Sequence, residues 1–158
     1  MSGVVNTPGY YYSIAYILAM FIVTCTNRKR ITGWKRYLAY FGFFAALAFF
    51  MWITDGVRQV LFLPAMTVTI TLMLLCLYAC CDFTIYEAGY YCARAFITGE
   101  FAASLCWQIY FYTSSTIMPE DSRILEWAEL IVVYGIIFLV IWLIERGLQK
   151  DAVNVRIN

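Results

Sequence analysis

Apolar and polar positions in this chain come in long blocks rather than alternating residue by residue, and the apolar blocks have the length of membrane spans. They cover residues 10–26, 37–54, 60–81, 88–113 and 127–144. A hydrocarbon core about 30 Å thick takes roughly 20 residues of helix, so each block suffices to cross it. The pattern predicts an all-α membrane fold: one domain over 1–158, built as a bundle of about five transmembrane helices, with 145–158 as an exit segment. The first block follows Pro8 and Gly9 without a basic lead or a small-residue cleavage site. It therefore reads as a retained helix rather than a signal peptide. Pro64 falls in the first turns of the third block, where a missing N–H costs the helix little.

Composition strengthens this picture. At 63% apolar and 13% charged, the chain has too few polar groups to cover a water-soluble domain. The net charge of +1 provides no field for nucleic acid, but the placement of the cations is informative. Arg28, Lys29, Arg30, Lys35 and Arg36 crowd the link between the first two blocks, which the positive-inside rule assigns to the cytoplasm. Following the chain from there puts eight cations inside, Arg58 and Arg123 outside, and Arg94 within the membrane. The N-terminus is then outside, the C-terminus cytoplasmic, and the protein multi-pass. The acidic link 82–87 does not itself favour the cytoplasmic side; parity alone places it there.

The six cysteines lie in or beside apolar blocks and form no Cys-x-x-Cys pair. They read as small hydrophobes, with palmitoylation or redox sensing at Cys80 and Cys81 as the alternative. The chain has no histidine, which removes His metal ligands, His general bases and any phosphohistidine. No metal site, cofactor or catalytic constellation is read.

The fourth block differs from the rest because Arg94, Glu100, Ser104 and Gln108 fall inside it. An ionisable group at membrane depth costs a few kcal/mol to insert and marks a functional site by default. Glu100, Ser104 and Gln108 recur at intervals of four and form a polar stripe, whereas Arg94 and Glu100, six apart, point away from each other. Arg94 lies near the helix end and can snorkel toward it. Glu100 sits near mid-span and requires protonation, a partner on another helix, or a wet cavity. Ala95, Gly99 and Ala103 form a small-residue row that admits a close neighbour and places this helix at the centre of the bundle. Two readings stay open: polar glue between helices, or a ligand pocket or proton-sensitive switch using Arg94, Glu100, Ser104 and Gln108. Glu129 lies close to the outer surface and is assigned no role.

Over 82–112 the chain resembles the membrane regions of bacterial sensor histidine kinases with a GHKL-type ATPase domain. The resemblance rests on Ala93-Arg94-Ala95-Phe96, Glu100-Phe101-Ala102-Ala103-Ser104-Leu105 and Trp107-Gln108, with the exit Trp142-Leu143-Ile144-Glu145-Arg146 similar as well. Cys106 stands where that family usually carries a second glutamate. The resemblance implies a signal-input module of a two-component system, not an enzyme by itself, acting on a kinase domain or cytoplasmic signalling partner, with homodimerisation open. Without histidine or a Gly-rich nucleotide loop the chain carries neither phosphoacceptor nor ATPase, as expected of a fragment or a stand-alone sensor. The alternative is a small-solute transporter or substrate-binding membrane subunit, with Glu100, Ser104 and Gln108 along the path. An intramembrane enzyme would need a nucleophile and base, and none is legible.

Overall fold

The computed structural model describes residues 7–31, 33–55, 62–116 and 123–157. Arg58 and the loop residues Pro119, Glu120 and Asp121 lie outside the described residues, as do the side chains of Lys150 and Arg156. Among the described residues five helices follow one another: α1 (Gly9–Thr26), α2 (Trp34–Ile53), α3 (Phe62–Cys80), α4 (Ile85–Thr116) and α5 (Arg123–Ile157). There is no named strand among the described residues. A single antiparallel bridge, Lys29 with Cys81, ties two loops.

Among the described residues four helices are long and apolar enough to cross a membrane: α1, α2, α3 over Leu63–Cys80, and α5 over Arg123–Gly147. The fourth block departs from expectation. At 32 residues α4 is long enough, but its charged and polar positions keep it below the apolarity of the others. It starts three residues earlier than 88 and ends three later than 113. The early start has a local cause, because Thr84-Ile85-Tyr86-Glu87 is a capping box. The Glu87 carboxylate accepts from Thr84 N–H at 2.8 Å and Thr84 Oγ1–H at 2.9 Å. Those hydrogen bonds hold the Glu87 carboxyl below its ordinary range. Helix α5 continues through Ile157, so the exit segment is helical from 145 to 157.

Helices run alternately between two ends. At one end the α1–α2 loop meets the α3–α4 link: Arg30 N–H donates to the Cys80 carbonyl and Asp82 N–H to the Arg28 carbonyl, each at 3.0 Å. Arg30 also faces Asp82 at 3.9 Å. The acidity of the 82–87 link is therefore accounted for locally, one carboxylate answering the basic loop and the other capping a helix. At the opposite end Gly9 N–H, an orphan donor at the start of α1, is satisfied by Asp55 Oδ1 at 3.0 Å. A β-carbon on Gly9 would lie 3.1 Å from the Met51 carbonyl, which explains the glycine.

The centre of the bundle is shared. The sequence pointed to α4, but α1 is the helix that touches all four others. Tyr11, Ala15, Tyr16 and Met20 on α1 are completely buried, and Ser13 and Thr24 are buried with them. Apolar α2, α3 and α5 expose large side chains such as Phe41, Trp52, Leu63, Ile131 and Leu139, as expected of helices whose outer faces meet lipid. Within α3, the hydroxyls of Thr67, Thr69 and Thr71 each donate to the carbonyl four residues back, which hides their polarity from an apolar surround.

Candidate functional site

Helix α4 lies antiparallel to α1, and their contact is built around one aromatic side chain. Tyr16 stacks on Phe96 with centroids 5.5 Å apart and planes at 12°. Its ring occupies the space left by Gly99: a β-carbon there would stand 2.5 Å from Tyr16 Cδ1. Ala95 and Ala103, one turn to either side of Gly99, are buried as well. The Tyr16 hydroxyl, carried to mid-helix by this packing, donates to Glu100 Oε1. Glu100 is thus half-buried with a defined partner on another helix, one of the three conditions under which a carboxyl group is tolerated at that depth. Farther along the same contact, Tyr11 meets Trp107 edge to face at 5.4 Å.

Arg94 looks to the other side of α4. Its guanidinium forms an ion pair with Glu145 of α5 at 2.6 Å, and it lies 6.0 Å from the Tyr90 ring centroid. Snorkelling is not its only recourse, because a partner waits on the next helix. The pair is lopsided: the Glu145 side chain is 7% exposed and that of Arg94 31%. One residue on, Arg146 turns outward and covers Trp142 at 3.8 Å.

The polar stripe divides. Glu100 and Ser104 are half-buried, whereas Gln108 is exposed, and among the described residues neither Ser104 nor Gln108 hydrogen-bonds to Glu100. Eight residues of helix rotate Gln108 by about 80° from Glu100, enough to carry it out of the contact with α1. The three do not face a common path. Arg94 and Glu100 also remain apart, each joined to a different neighbour of α4.

Two participants escaped the sequence reading. Tyr16 sits in an apolar run where a tyrosine has no visible distinction; its only signal was the density of tyrosines at 10, 11, 12 and 16. Glu145 reads in the sequence as part of the charged exit, because Arg146 follows it directly. A third acid, Glu129, has a buried carboxylate oxygen, Oε2, without a hydrogen-bond partner among the described residues. Nearby, Tyr10 and Tyr11 both donate to Glu126, the latter at 3.3 Å, and Tyr134 Oη–H donates to the Tyr11 carbonyl at 2.8 Å, fastening α5 to α1.

All six cysteines are free thiols, Cys25 exposed and the others buried, including both Cys80 and Cys81. No group of three or more Cys, Asp or Glu suited to a metal ion occurs among the described residues. Comparison with protein families, curated proteins and solved structures finds no match to this chain.

The Tyr16–Glu100 bond gives a direct prediction. Tyr16→Phe retains the ring stack but strips Glu100 of its donor, and is expected to lower stability by about 1–2 kcal/mol. Glu100→Gln, whose amide oxygen still accepts, is expected to lower it by less. Thermal unfolding in detergent measures both; a Tyr16→Phe protein as stable as the parent would show that the bond contributes nothing.

Proposed function

We propose that this chain is the membrane-embedded signal-input module of a two-component system, lying in a bacterial inner membrane with its basic end toward the cytoplasm and acting on a histidine kinase domain. The observation that supports this reading most is the double attachment of α4. Through Glu100 it is bonded to Tyr16 of α1, and six residues away through Arg94 it is paired with Glu145 of α5. A change in the protonation or hydrogen bonding of Glu100 alters how α4 sits on α1, and α4 is unbroken helix between its two polar contacts. The displacement reaches Glu145, and α5 carries it onward, since it continues as helix to Ile157. Helix shifts of about 1–2 Å are a common currency of such switches. The phosphoacceptor belongs to the partner, because this chain has no histidine.

The test joins a kinase catalytic domain in helical register after Asn158 and follows autophosphorylation in proteoliposomes. Glu100→Gln and Arg94→Gln are expected to change the basal rate several-fold, and Leu139→Ala, on an exposed face of α5, to leave it unchanged. Equal rates for the parent and both polar variants, with all proteins inserted, would sink the sensor reading.

A further inference from the structure

We infer that the basic end of the bundle is a docking surface for the phosphate headgroups of anionic phospholipids. Arg28, Lys29 and Arg30 are exposed in the α1–α2 loop, and Lys35 and Arg36 follow in the first turn of α2. The loop is not a loose cationic tail. Its backbone is bonded to the end of α3 through Arg30 N–H and to the α3–α4 link through the Arg28 carbonyl, so its charges are held in place before any ligand arrives. Preorganisation of this kind removes an ordering cost from binding.

The local negative charge is already engaged. Asp82 faces Arg30 across 3.9 Å, and Glu87 is turned into its own capping box with Thr84. Arg28 and Lys29 have no carboxylate partner among the described residues. Arg36 stacks on Tyr37 at 4.7 Å and donates to the Tyr37 hydroxyl, so its guanidinium is held beside the loop with its Nε buried, and the open donors are those of Arg28 and Lys29. Helix α2 is preceded by Gly33 at the N-cap, whose φ of 75° suits glycine, with no side-chain cap and no acid in the first turn. A phosphate oxygen supplies the acceptors that this corner lacks.

Depth selects the lipid as the source of the phosphate. Trp34 and Tyr37 are 80% and 58% exposed beside these cations, and amphipathic rings of this kind settle at headgroup level. The apolar outer face of α2 continues below them through Leu38 and Phe41, where the acyl chains of a bound lipid would lie.

Native mass spectrometry of the full chain in detergent, titrated with phosphatidylglycerol or phosphatidylcholine, tests the inference. Phosphatidylglycerol is expected to be retained selectively. Each cation near a charged leaflet contributes a factor of about five, so Arg28→Gln with Lys29→Gln is expected to weaken retention roughly 25-fold. Arg123→Gln, at the opposite end, is expected to leave retention unchanged, and unfolding curves establish that each variant is folded. Equal retention of the two lipids, or phosphatidylglycerol retention untouched by the double substitution, would overturn the inference. Displacement of the lipid by millimolar inorganic phosphate would overturn it too, by marking a site for free anions.

Discussion

Replacing Arg94 with alanine is expected to destabilise the bundle by about 3 kcal/mol, at the lower edge of the range for breaking a buried ion pair. The cost arises less from the lost attraction than from the acid left behind. Glu145 is 7% exposed and loses its only ion-pair partner among the described residues. The reverse substitution is expected to be milder, with Glu145→Ala costing about half as much. Arg94 is 31% exposed, retains the face of Tyr90, and has a long stem with which to reach the helix end. Replacing both partners with apolar side chains, as in Arg94→Met with Glu145→Leu, is expected to restore most of the stability, because neither charge then needs compensation. Reversible denaturation in bicelles resolves these differences. Equal losses for the two single substitutions, or a double variant as unstable as Arg94→Ala, would show that the pair is not what holds α4 to α5. The same double variant separates structure from signalling, since a stable bundle without the pair is expected to lose its coupling to a fused kinase.

Gly99→Ala is expected to cost about 1–3 kcal/mol, the ordinary penalty for overpacking a close contact. A new methyl group would stand 2.5 Å from Tyr16 Cδ1 and 3.0 Å from Tyr16 Cε1, so the ring has to give way. The ring is further confined by its stack on Phe96 and its bond to Glu100. Either the ring leaves its stack or α1 and α4 separate, and each weakens the hydrogen bond together with the packing. Gly135→Ala, with nothing near its β-position, serves as the control and is expected to be neutral or slightly stabilising. Thermal unfolding of the two variants side by side decides the matter. A Gly99→Ala protein that melts with the parent would mean that α1 and α4 do not approach this closely.

These effects centre on residues of unequal visibility in the sequence. Glu100 and Arg94 stand out because any charge within an apolar block is conspicuous, and the row of Ala95, Gly99 and Ala103 announces a close approach by its size alone. What approaches was not legible. Tyr16 belongs to a block that, read by hydropathy, has no more claim to the centre than its neighbours, yet it is completely buried. Gln108 shows the converse: its spacing assigned it to the stripe of Glu100, but the gradual rotation of the helix turned it outward. Glu145 was masked by Arg146, since a charged pair after an apolar run ordinarily marks the point where a helix leaves the membrane. In the structure the two part company, the acid turning in and the base out.

The helical class, the blocks that become helices, the polar character of α4 and the clustering of cations are all written in the order of the residues. These are local properties, readable from a window of residues without knowing what lies across from it. Which helix is central, which face of each is covered, and which acid answers which base emerge only when the helices pack. Helices bound for a bilayer are apolar on the faces that meet lipid and on those that meet protein, so hydropathy does not distinguish the two. Their rotation is set instead by shape, as where Tyr16 enters the space over Gly99, and by the few polar groups that must find one another away from water.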